Sequence, residues 1–454
     1  MRVQKCVASF AYITLFMLIN ALSIYGQSDQ GQAAQAATEA RYEESRDHFT
    51  HGEYAEAIQA AEAAVQALKK EPVADTTRYV KWAHLLGRSQ QRLGSHPAAI
   101  SVLEPAYKVS RAASLARLLS ESFMQQARYE KARSLYRELH RADSTDRNVR
   151  IQLARLAMQG RDWFEAAHHF EALLRADSTN GEWHAHLARC HEAMSKPESA
   201  LEHLRSAHRL RPQDASIALQ LSSRLRSLGA LQDAVDVIDR TLDETPADAR
   251  LWRRRADLSF AQSSLHTAET AYQQTLAYGD SSATVYRRLG IVQAGQARHA
   301  DALENLNAAL QRDSTSARTR LYLGISYRHL DSLDQSARVL REAIAVVADG
   351  PITNVYMELA QTENARDRLP ASLDAYRMAK RLQPDRSEIL FRLAQLYDEN
   401  YLDKSTAARY YRHFLSATTL PPTDTLVVYA QDRLDALVPI LHMQSGRKAD
   451  SSGR

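Results

Sequence analysis

Residues 183–194 read WHAHLARCHEAM, where His186 and Cys190 stand four apart. On a helix that spacing puts imidazole and thiol on one face, and two further ligands would complete a tetrahedral metal site. The second half of such a site is missing, because His203 and His208 follow in no ligand spacing. Cys190 beside Leu187 reads instead as a small apolar residue of a packed helix. The chain contains no phosphate-cradling glycine loop, no H-E-x-x-H, no G-x-S-x-G and no paired-cysteine motif. The reading is therefore non-catalytic, with no catalytic residue, cofactor or metal expected. Trp82, Trp163, Trp183 and Trp252 could suggest a carbohydrate or cofactor platform, but their places in the pattern below make them packing residues.

The chain has 454 residues, 44% of them apolar, with only 15 Gly and 12 Pro. Few breakers beside abundant Ala, Leu, Arg, Glu and Gln favour helix over sheet. Arginine outnumbers lysine, 48 to 10, yet the formal charge is only +4. Arg2 and Lys5 precede an apolar run ending near Gly26, which reads as a secretory signal over 1–26, with an uncleaved anchor as the alternative. Loss of Arg2 and Lys5 lowers the charge to +2, which excludes the strongly basic balance of a nucleic-acid binder. A membrane contact is expected only if that segment is retained. Cleavage also removes Cys6 and leaves Cys190 without a disulfide partner.

A phrase repeats along the chain: RADST at 141–145 and 175–179, then QRDST at 311–315. The first two are 34 residues apart and the third lies four such periods after the second. Small residues keep the same step at Ala132, Ala166, Ala200, Ala234, Ala268 and Ala302. Four places on, a large apolar column runs Tyr136, Phe170, Leu204, Ile238, Tyr272, Leu306 and Leu340. A leucine column runs Leu119, Leu153, Leu187, Leu221, Leu289 and Leu323, interrupted by Arg255, and small residues such as Ala154, Ala188, Gly290 and Gly324 follow it. Apolar spacing of three and four within each unit predicts two helices, and the small residues mark where they approach closely. The unit boundaries fall at Ser144, Ser178, Pro212, Pro246, Asp280 and Ser314, where proline ends a helix and a hydroxyl or carboxyl caps the next. Thr179 and Glu182 have capping-box spacing.

This 34-residue pattern resembles the tetratricopeptide repeat (TPR) family, most closely from Tyr286 to Asp313 and from Leu321 to Ile344. The resemblance implies an all-α, right-handed superhelical solenoid of about 11 helix-turn-helix repeats with a C-terminal closing helix. Repeats begin near residues 38, 80, 113, 147, 181, 215, 249, 283, 317, 353 and 387, the first two and the last being degenerate. The expected organisation is a signal segment 1–26, a linker 27–37, a solenoid 38–420, a closing helix 421–443 that shields the apolar end, and a flexible tail 444–454.

In that family the first helix of each unit lines a concave face, at repeat positions 2, 5, 9 and 12. Eight arginines occupy those positions between residues 147 and 350: Arg155, Arg189, Arg226, Arg250, Arg253, Arg287, Arg318 and Arg328. The planar guanidinium fork suits carboxylates, and Arg253 and Arg287, equivalent one repeat apart, should be neighbours that invite an anion. The competing reading is a solvated face on which Arg253 pairs with Asp257 and Arg189 with Glu192. Helical geometry keeps Arg254 and Arg255 from both joining Arg253. The Lys and Asn pattern that grips a chaperone's carboxylate terminus is missing, while Glu358, Gln361, Asn364, Glu388 and Asp398 make the far end polar to acidic. The expectation is an exported, periplasmic or envelope-associated bacterial scaffold whose groove takes a protein or peptide with acidic segments. An adaptor for anionic polysaccharide or peptidoglycan, or a purely architectural subunit, is the alternative.

Overall fold

The computed structural model describes residues 36–70, 76–346, 352–401 and 404–451. The expected signal segment lies outside them. Every regular element among the described residues is helical, and chain contacts divide the protein into two units, Met1–Leu210 and Arg211–Arg454.

In unit 1 the helices pair as α1 (36–51) with α2 (Tyr54–Lys70), α3 (Thr76–Arg92) with α4 (His96–Ser110), and α5 (Ala113–Gln125) with α6 (Tyr129–Ala142). Then follow α7 (Arg147–Gln159) with α8 (Trp163–Ala176), and α9 (Gly181–Ala193) with α10 (Pro197–Leu210). Unit 2 continues with α11 (Ala215–Ser227) and α12 (Leu231–Glu244), α13 (Ala249–Ala261) and α14 (Leu265–Ala277), and α15 (Ala283–Gly295) and α16 (His299–Arg312). It ends with α17 (Ala317–His329) and α18 (Leu333–Val346), α19 (Ile352–Ala365) and α20 (Leu369–Leu382), α21 (Ser387–Asn400) and α22 (Lys404–Ala417), and α23 (Thr425–Ser451). Eleven pairs and a final helix match the repeat count read from the sequence. The helix of α23 extends past residue 443.

The repeat columns are the core. Ala132, Ala166, Ala200, Ala234, Ala268 and Ala302 are wholly buried, as are Leu204, Ile238, Tyr272, Leu306 and Leu340. Burying each large side chain contributes about 1.5–3 kcal/mol. The small column exists because the facing helix arrives there. A Cβ placed on Gly290 would stand 2.7 Å from Leu306 Cγ, and one on Gly324 would stand 2.5 Å from Leu340 Cγ. Where the leucine column fails, the Arg255 guanidinium reaches back 2.6 Å to Asp239 on the preceding helix.

The RADST phrase works differently from its sequence reading. Asp143 accepts hydrogen bonds from the Thr145 amide (2.9 Å) and hydroxyl (2.7 Å), and Asp177 and Asp313 do the same with Thr179 and Thr315. The phrase is thus a side-chain-closed turn. The helix caps come after it: Asp146 accepts from the amides of Asn148 and Val149, and Asn180 from those of Glu182 and Trp183. Asp214, Asp248 and Ser316 cap the corresponding helices. Thr179 makes no capping box, because the N-cap is Asn180, one residue later, whose side chain takes the Glu182 amide.

Within each repeat the turn from first to second helix passes through a left-handed residue. Ala127, Arg161, Ser195, Gly229, Ser263, Ala297 and Asp331 follow one another at the 34-residue step, with φ between 55° and 77°. The next amide closes a six-residue loop, for example Arg128 N–H to Phe123 O at 2.8 Å and Arg298 N–H to Gln293 O at 2.9 Å. That is the glycine-favouring end of a Schellman turn, yet among these seven only position 229 is glycine.

Candidate functional site

The first helices of successive repeats touch one another, as α11 does α13, α15 does α17 and α17 does α19. Their solvent-facing stripes therefore lie side by side. On these helices of unit 2, Arg226, Arg250, Arg253 and Arg318 are exposed and Arg287 and Arg328 are part-buried.

The arginines then divide by partner. Arg250 holds Asp248 at 2.6 Å, so it buttresses a helix cap. Arg253 donates to Asp280 Oδ2 at 3.0 Å in the turn before α15. Asp257, the partner expected for Arg253, instead accepts from the Tyr272 hydroxyl at 2.5 Å. Arg328 bonds Glu358 of α19 at 3.1 and 3.2 Å through two nitrogens. These three are neutralised by acids of the same unit.

Two places are not. Burial first, then Arg288 and Arg318, pull the Arg287 guanidinium below its ordinary value, with Asp313 opposing. Burial and then Arg226 do the same to Arg254, with Asp257 opposing. Among the described residues, Arg226, Arg254, Arg287, Arg288 and Arg318 form no ion pair within 4 Å. Their guanidiniums lean on neutral groups: Arg287 reaches the Thr284 hydroxyl at 3.4 Å, and Arg288 sits 5.9 Å from the Phe260 ring centre. Arg253 is not among the groups that perturb Arg287. Of the arginines expected in the groove, the one whose charge acts on Arg287 is Arg318, one repeat on. Arg254 and Arg288, both at position 6, were missed by a search confined to positions 2, 5, 9 and 12. A second-neighbour column would have found them.

In unit 1, Arg155 lies 3.9 Å from Glu182 and both are exposed. Arg189 is exposed, and no ion pair joins it to Glu192 or to another described residue. The first helices here also form a cleft that the sequence search did not reach. One cavity of about 700 Å³ is lined by His84, Arg88, Arg92, His96, Arg117 and Glu121 among others. A second, of about 360 Å³, shares Arg117 and Glu121 and extends to Arg155. Extending positions 5 and 9 back to the repeats at 80 and 113 would have named His84, Arg88, Arg117 and Glu121.

One residue expected in the groove is held inside, and the cysteine read as a packing residue packs. Asp398, read as part of an acidic end of the groove, is buried and binds Arg433 of α23. Cys190 is fully buried in a cluster with Trp183, Leu187 and Phe170, and burial raises its thiol to about 11. His186 stacks on Phe170 with ring centres 5.0 Å apart. Trp252 donates to Pro246 O at 2.7 Å, and Trp82 packs edge-on to Tyr42. No group of three or more His, Cys, Asp or Glu among the described residues is placed to hold a metal, and none of the described helices is long and apolar enough to cross a membrane.

Comparison with known proteins places this architecture. Tetratricopeptide repeat models match residues 84–147, 123–190 and 215–414, together more than half of the chain. Among curated proteins no significant match is found. Similar solved structures include yeast Tom70, at 12% identity over 90% of this chain and 97% of that one, with a TM-score of 0.40. The Cut9-Hcn1 hetero-tetramer of APC/C matches at 15% identity over 87% of this chain and 95% of that one, with a TM-score of 0.44. The Naa15/Naa10 complex bound to HypK-THB gives 15% identity and a TM-score of 0.39 over 86% of this chain, which spans 64% of its length. The repeat matches coincide with helix pairs whose buried columns keep the 34-residue step, and the chain belongs to the tetratricopeptide repeat family.

Proposed function

We propose that this protein is an exported, non-catalytic adaptor that captures an acidic segment of a protein partner along the first-helix face of unit 2. Repeats of this family bind protein and peptide partners. The observation that carries the acidic ligand is Arg287: a half-buried guanidinium beside Arg288 and Arg318 with no acid of its own. Like charges held together in partly desolvated surroundings store repulsion, and a carboxylate placed between them releases it. Arg226 and Arg254 repeat the arrangement on α11 and α13, so an extended ligand meets charge at two points. The helices are already packed, and little ordering cost falls on the protein. The basic apolar segment at 1–26 supports export to a bacterial envelope.

The test is fluorescence anisotropy of a labelled Glu-rich 12-residue peptide with the chain from residue 27 onward, beside the Arg287→Glu, Arg318→Glu variant. The expected result is at least tenfold weaker binding with unchanged helicity and melting. Equal binding by both proteins, or tighter binding of an anionic polysaccharide than of the peptide, would overturn the reading.

A further inference from the structure

We propose that unit 1 carries a separate anion site, in the cleft between α3, α4 and α5, which takes an oxyanion of the carboxylate or phosphate class. The site shares no residue with the face of unit 2 and does not depend on its reading.

The charge balance of the cleft is the first support. Arg88, Arg92 and Arg117 face one acid, Glu121. Removal of Glu121 from solvent raises its carboxyl even though Arg88, Arg117 and Arg92 all pull it down. No hydrogen bond joins Glu121 to any of them among the described residues, so the guanidiniums are near without being paired to it. Arg92 has no ion pair among the described residues.

The second support is that the walls are held while their donors stay open. The Arg88 guanidinium lies over the Phe49 ring of α1, 5.0 Å from its centre, and no ion pair joins Arg88 to an acid among the described residues. Arg117 gives one N–H to Asp146 and keeps the rest. Gln91 is fixed by the Leu118 carbonyl at 2.6 Å and the Ser122 hydroxyl at 2.8 Å. His96, at the start of α4, has a buried Nδ1 without a hydrogen-bond partner. His84 supplies a second imidazole, whose pKa burial and then Arg88 lower. An oxyanion entering here meets fork donors from α3 and α5 and an imidazole from α4. That combination favours two or more negative oxygens over a halide.

Isothermal titration of the full chain with succinate and, separately, inorganic phosphate in low-salt buffer tests the site. Arg88→Ala, Arg92→Ala removes two exposed side chains and, besides the contact of Arg88 with Phe49, leaves the helix packing in place, which an unchanged melting temperature checks. It is expected to weaken the binding of either anion at least tenfold, while Arg240→Ala, Arg381→Ala, which removes two exposed side chains of α12 and α20 outside both sites, leaves it unchanged. Glu121→Gln removes the resident carboxylate and is expected to tighten binding several-fold. The anion that binds more tightly names the ligand class. Binding no stronger than that of chloride, equal loss in both arginine variants, or weaker binding after Glu121→Gln would overturn the proposal.

Discussion

Arg433 of α23 donates two hydrogen bonds to Asp398 of α21, at 2.8 and 3.0 Å, across 35 residues of chain. Asp398 is buried, whereas Arg433 keeps 40% of its side chain exposed. Lys404 adds a second cation at 3.8 Å. Deleting the arginine strands a buried carboxylate, while deleting the aspartate frees a guanidinium that water can reach. Arg433→Ala is therefore expected to cost about 2 kcal/mol, more than Asp398→Ala. Chemical denaturation of both variants measures the order, and a negligible cost in both would show that α23 is held by its apolar contacts alone.

Close approach at the glycine column makes a second prediction. Gly290→Ala and Gly324→Ala must each displace a buried leucine, Leu306 or Leu340, by several tenths of an ångström. Overpacking of that kind costs about 1–3 kcal/mol. Leu306→Ala should cost less in the Gly290→Ala background than in the unmodified protein, since it removes the Cγ and Cδ2 atoms in the way. Independent, additive effects would count against direct contact.

The left-handed turn column predicts a gain. Ala297 holds φ at 61° and Ser195 at 57°, a region where a Cβ costs about 1 kcal/mol or more. Ala297→Gly should raise stability by about 1 kcal/mol less the entropy of a freer unfolded chain, and Gly229→Ala should lower it. Thermal melts of the two single variants, moving in opposite directions, check this.

Acid should loosen unit 1. Burial lowers His169 to about 4, with His140, His168 and Arg150 adding to the effect and Glu165 opposing it. Burial also lowers His203 to about 4, beside His184 and His191, its Nδ1 lying 3.0 Å from that of His184. Both values lie below the unfolded value of 6.5, so the unfolded chain binds protons first as pH falls. The stability they contribute is complete above pH 6.5 and is lost toward pH 4, at most ~1.4 kcal/mol per pH unit for each histidine. Urea titrations from pH 7.5 to 4.5 should show this slope. His203→Gln should flatten it, and an unchanged slope in that variant would assign the acid sensitivity elsewhere.

Much of the architecture was legible before any coordinates. A helix pair leaves a one-dimensional trace, because which residues are small or apolar depends on position along each helix. Ala166, Phe170, Leu187 and Gly290 could therefore be assigned their packing roles from spacing, and the repeat count with them. The same logic led to the expectation that Arg287 and Arg318 share a helix face, since side-chain direction follows from helix phase.

Tertiary structure decided what those side chains touch. An arginine has several rotatable bonds, and its partner is an acid delivered by another helix, often some 30 residues away. Arg253 bonds Asp280 and not Asp257 because the turn before α15 comes closer than the next turn of its own helix, where Tyr272 already holds Asp257. The cap at Asp146 and the left-handed step at Ala127 likewise depend on backbone angles that a five-residue phrase does not carry. The cleft around Glu121 exists only where α3, α4 and α5 stand together. Helical periodicity is a property of single segments and can be read from one chain. Charge pairing and cavities are properties of neighbours, and they arise when the segments pack.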